Sequence, residues 1–99
     1  GRSTDFIIAH DGTILHGLAL IYILRDLAGV KAFKIIQESI DKTRVYIVKE
    51  EGYQLDSELL IKGEFKKRLG EDVEIHVEYR DELKAEKSGK YRYVISKVS

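Results

Sequence analysis

The chain has 99 residues, of which 43% are hydrophobic, with 17 basic side chains balanced by 17 acidic ones and no cysteine. That length is one domain's worth. Zero net charge leaves no long-range field to gather nucleic acid or an anionic membrane, and without thiols neither a disulfide framework nor a thiolate metal site can be built.

Residues 6–10 are apolar and extended in character, Asp11-Gly12 follows, and residues 13–16 are again β-prone. Asp-Gly between two such runs predicts a two-residue hairpin turn, because glycine tolerates the positive φ these turns need. Leu20, Ile23, Leu24 and Leu27 recur at helical spacing and predict a helix over 18–28, with Gly29 placed as its C-terminal glycine. Residues 30–40 and 44–48 read as two strands joined by Asp41-Lys42-Thr43, an antiparallel pair. Asp56 is a candidate N-cap for a second helix, with Ile61, Phe65 and Leu69 spaced by four and Gly70 closing it. Gly63 inside that helix costs about 1 kcal/mol relative to alanine. Val73, Ile75, Val77 and Tyr79 alternate with Glu74, His76, Glu78 and Arg80, the pattern of a half-buried strand. A polar stretch, 81–89, leads to a last short strand over 91–95. The expected fold is α+β: an N-terminal β-hairpin, residues 6–16, followed by a ferredoxin-like three-stranded sheet packed with two helices.

No apolar run approaches the roughly 18 residues of a membrane span, and the N-terminus lacks the charged-then-apolar order of a secretory leader. A cytoplasmic protein is expected. The chain contains no methionine, so it is expected to be a piece of a larger polypeptide.

Few side chains suggest chemistry by themselves. His10, His16 and His76 lack metal-ligand spacing and read as surface imidazoles, and no metal site is expected. The acidic pairs Glu50-Glu51, Glu71-Asp72 and Asp81-Glu82 fall in turns, where carboxylates are solvated. Ser88-Gly89-Lys90 is not a phosphate loop, because Lys84 stands where that motif needs a glycine and Tyr91 where it needs Ser or Thr. A lysine directly after glycine can still be held up into a neighbouring active site. The flanks are basic, with Lys84, Lys87, Arg92 and Lys97 against Glu86. On these residues alone a solvated lysine is the stronger reading.

The two ends together point further. Gly1-Arg2-Ser3-Thr4-Asp5-Phe6-Ile7-Ile8, then Asp11-Gly12, resembles the hinge and following hairpin of adenylate-forming enzymes, and Ser88-Gly89-Lys90 resembles their late Gly-Lys motif. Within that superfamily the chain looks like the phenylacetate–CoA ligase branch, and Ile14-Leu15-His16-Gly17 and residues 24–30 and 88–94 look like capsular polysaccharide biosynthesis members. The resemblance implies a mobile C-terminal lid domain spanning 1–99, with residues 1–5 as hinge. It implies Thr4 and Asp5 at the hinge position, Lys90 as the catalytic lysine, and Arg2, Ser88 and Gly89 on the nucleotide side. Asp11 and Gly12 would form the hairpin face turned toward the acyl acceptor. ATP and magnesium would be held mainly by an N-terminal domain, which also holds the carboxylate substrate, and CoA or another thiol would accept the acyl group. The isolated chain would be inactive. Nucleic acid and membrane are not expected partners. The rival is a stand-alone ferredoxin-like regulatory or RNA-binding module with Tyr91 and Tyr93 stacking bases. Zero net charge opposes RNA, and a regulatory domain explains neither end motif.

Overall fold

A computed structural model of the chain describes residues 6–82 and 94–98, which form six strands and two helices. β1 (Phe6–Ile8) and β2 (Ile14–His16) make an antiparallel ribbon. α1 (Leu18–Arg25), β3 (Val30–Ser39), β4 (Lys42–Lys49), α2 (Ser57–Leu69), β5 (Glu74–Tyr79) and β6 (Val94–Ser96) follow. The main sheet has the order β5-β4-β3-β6. Its central pair is antiparallel, while both outer strands run parallel to their neighbours. The mixed α+β content is as expected. The sheet has four strands where three were expected, because the terminal strand pairs with β3 at Ile35–Val94, Ile36–Ile95 and Gln37–Ser96. β4, α2 and β5 form a crossover in which the two parallel strands lie side by side rather than split by a third.

Register sorts the residues onto two faces. Phe33 lies beside Ile47 and Ile47 beside Tyr79; Ile35 lies between Val45 and Val94; Gln37 lies between Thr43 and Ser96. Phe33, Ile35, Val45, Ile47, Ile75 and Val94 join Leu20, Ile21, Ile23 and Leu24 of α1 and Ile61, Phe65 and Leu69 of α2 in one core. Ile7 of the ribbon is fully buried in the same core. The opposite sheet face carries a charged ladder in which Arg44 pairs with Glu38 and Glu78, and Arg80 stacks on Tyr46 at 4.7 Å.

Three local expectations change. The hairpin turn has three residues, His10-Asp11-Gly12, closed by Ala9 N–H to the Thr13 carbonyl (2.7 Å) and Gly12 N–H to the Ala9 carbonyl (2.9 Å). Gly12 supplies the positive φ, +92°, that such a loop needs before rejoining the ladder. α1 ends at Arg25 rather than at residue 28, since Leu27 N–H turns back to the Leu24 carbonyl in a tighter turn. Leu27 nevertheless still packs on the core. Gly29 is therefore no helix cap. It sits at φ +77° where the chain enters β3, and its carbonyl accepts Glu50 N–H at 2.8 Å. Asp56 does stand at the N-cap of α2, but its side chain makes no capping hydrogen bond there.

Candidate functional site

At one end of the domain the hairpin tip is locked by short-range bonds. Asp11 Oδ1 accepts Thr13 N–H at 2.9 Å, and this bond holds the exposed Asp11 carboxyl below the ordinary carboxylate range. His10 ties the tip to the helical layer, with its N–H bonded to the Leu69 carbonyl (2.7 Å) and Nε2 3.2 Å from Asp41. His10 is thus a tether between loops, half exposed. His16 accepts Leu18 N–H on Nδ1 and meets the Phe6 ring edge-on, and His76 lies 3.2 Å from Glu74. Among the described residues no three of His, Asp and Glu stand close enough to hold a metal ion.

The ribbon is fastened to the sheet by a side chain. Gln37 is 1% exposed. Its Nε2 donates to the Ile8 carbonyl at 2.6 Å, while Oε1 accepts Ile8 N–H at 3.1 Å and Ser96 Oγ–H at 2.8 Å. The carboxamide does for β1 what a neighbouring strand's peptide would do, satisfying both polar groups of the half-buried Ile8.

A second cluster stands where β4 and β5 end and α2 begins. Tyr79 donates its hydroxyl to Glu58 at 2.8 Å and lies 3.0 Å from the Tyr53 hydroxyl, which is left to donate to it. Lys49 Nζ lies 4.5 Å from the Tyr79 ring centre. Partial burial, then the bonds to Tyr53 and Glu58, raise the Tyr79 phenol far above its ordinary range. Glu58 is lowered, first by the Tyr79 hydroxyl and then by Lys62. A carboxylate with a lowered pKa beside a phenol with a raised one does no proton transfer near neutrality, so the cluster is architectural. Tyr79, Arg80, Asp81 and Glu82 line an open cleft beside it.

Glu58 also carries a pH prediction. A depressed carboxylate stabilises the fold above its unfolded pKa, and that contribution is lost as pH falls through the folded value. Tyr79→Phe should therefore raise the Glu58 pKa in a carboxyl NMR titration and shrink the stability difference between neutral pH and about pH 3. A titration of Glu58 unchanged by the substitution would contradict the assigned bond.

The described chain leaves this end of the sheet after Glu82 and resumes at Val94, beside Ile35. Ser88, Gly89 and Lys90 fall in the interval, and Arg2, Thr4 and Asp5 precede Phe6; all six lie outside the described residues. Asp11 and Gly12 are described, at the exposed ribbon tip. Reasoning from sequence missed Gln37 and the Tyr53–Tyr79–Glu58 chain. The signal for Gln37 was present: it occupies the inward position two residues after Ile35, where alternation calls for an apolar side chain.

A docked hairpin and two helices on one face of a mixed sheet are the described frame of a CapK-like C-terminal domain. The family model for the CapK C-terminal domain matches residues 7–97, and the chain belongs to that family. Its fold is similar to the crystal structure of a domain of phenylacetate-coenzyme A ligase from Bacteroides vulgatus ATCC 8482, with a TM-score of 0.62 and 15% identity over 100% of this chain and 98% of that one. No curated protein matches the chain. No helix among the described residues is long and apolar enough to cross a membrane.

Proposed function

We propose that this domain is the mobile lid of an ATP-dependent acyl-adenylate-forming ligase and that it supplies the catalytic lysine, Lys90. The observation that carries the reading is the family match across 7–97, which takes in both the hairpin and the Gly-Lys segment. In the first half-reaction a substrate carboxylate oxygen attacks the α-phosphorus of ATP, the bond to the bridging oxygen breaks, and pyrophosphate leaves. Nucleophile and target are both anionic, so a cation between them offsets repulsion and the charge growing on the phosphoryl oxygens. Lysine fits as a point charge on a flexible stem. Ser88 and Gly89 would set its approach, and Arg2 would stand on the nucleotide side.

The domain then turns about residues 1–5, with Thr4 and Asp5 at the pivot, and brings the Asp11-Gly12 tip to the acceptor. A thiol such as CoA attacks the acyl carbon and AMP leaves. Magnesium, which accompanies ATP, and the carboxylate pocket would be held mainly by the N-terminal domain. The deciding experiment is pyrophosphate exchange by the full-length enzyme with and without Lys90.

A further inference from the structure

Gln37 is placed where β1 and β6 meet. Through Ile8 it holds β1, the first strand after the residues assigned to the hinge. Through Ser96 it holds β6, the strand that begins four residues after Lys90, and its own carbonyl accepts Lys97 N–H at 2.9 Å. Among the described residues the ribbon and the main sheet share no strand ladder, and this side chain gives β1 a polar link to β3. Without it, one half-buried N–H and one half-buried carbonyl in β1 lose this partner, and β1 and β6 are no longer joined through a common group.

We propose that Gln37 is a positioning residue: its carboxamide couples the post-hinge strand to the strand behind the lysine segment, so that β1 and β6 move as one body when the domain turns. This rests on the lid reading above. Glutamine is suited to the role because it both donates and accepts, which neither an apolar residue nor a carboxylate can do.

That chemistry gives a pH-dependent test. Gln37→Glu is nearly isosteric. Ionised, it accepts from Ile8 and Ser96 but cannot donate to the Ile8 carbonyl; protonated, it donates again, and burial moves its protonation upward into an accessible range. In the full-length protein, hydrogen-exchange protection of peptides covering 6–8 and 94–98 should fall about tenfold at about pH 8 relative to wild type, the size of one lost hydrogen bond. Protection should return toward wild type as the pH approaches about 6. The kcat of pyrophosphate exchange, divided by that of wild type at each pH, should fall and recover in parallel, with the KM for ATP unchanged.

Ser96→Ala is the second variant. It should lower protection of 94–98 and leave 6–8 protected. Unchanged protection in Gln37→Glu at the higher pH, or a loss that does not recover, overturns the coupling. Protection that responds to pH while the exchange rate stays at wild-type level overturns the positioning role. A wild-type enzyme that catalyses no pyrophosphate exchange refutes the ligase reading instead, and the coupling is then judged on protection alone.

Discussion

Lys90→Ala in the full-length enzyme should slow acyl-adenylate formation by about 10²–10³-fold, the loss that follows removal of one preorganised charge-stabilising group from a transition state. The effect should fall on kcat of pyrophosphate exchange and leave the KM for ATP nearly unchanged, because a cation placed for the developing phosphoryl charge contributes little to ground-state binding. Transfer of the acyl group from a supplied acyl-adenylate to thiol should proceed at close to the wild-type rate, since the lysine is assigned to the first half-reaction. Lys90→Arg should recover only part of the loss: the guanidinium is planar and spreads its charge, whereas the step calls for a compact one. Exchange at the wild-type rate in Lys90→Ala would sink the assignment.

The legibility of this chain divides along the range of the interactions involved. Local patterns read well. The alternation through Val73, Ile75, Val77 and Tyr79 predicts β5, and Ile61, Phe65 and Leu69 predict the buried stripe of α2. Those signals depend on backbone periodicity, which a sequence carries explicitly. Partners distant in the chain did not read. Nothing near Gln37 announces that its amide will meet Ile8, 29 residues before it, and Ser96, 59 after it. β6 was expected as a strand, but its place as a parallel edge of the main sheet depends on pairing with β3, which no local pattern encodes. The end of α1 was misplaced for a related reason. Leu27 keeps the helical spacing of a buried residue while already lying in the turn, so burial continued past the helix. The role proposed for Lys90 rests on resemblance of its motif and not on any physical signature of its own.

Gly29→Ala should be among the most damaging single-methyl changes in the domain, at about 3–5 kcal/mol of stability. Two costs add. The residue sits at φ +77°, a conformation that costs an L side chain about 1–2 kcal/mol. An added Cβ would also lie 2.1 Å from Tyr53 N and 2.5 Å from Tyr53 Cα. Those are main-chain atoms, pinned where the Glu50 N–H bonds to the Gly29 carbonyl, so relief requires moving the 50–53 turn away from the start of β3. Tyr53 would move with it and break the Tyr53–Tyr79 contact. Two other glycines separate these costs. Gly12 has φ +92° but no atom within 4 Å of its added Cβ, so Gly12→Ala should cost only the conformational part, about 1–2 kcal/mol. Gly63 lies within α2, with no positive φ and open space around it, so Gly63→Ala should stabilise by about 0.5–1 kcal/mol. Urea unfolding of the three variants at neutral pH, with m-values matching wild type, should give that order. A Gly29→Ala variant no worse than Gly12→Ala would show that the 50–53 turn yields freely, and that the backbone contact between the start of β3 and this turn does not hold the two segments in place.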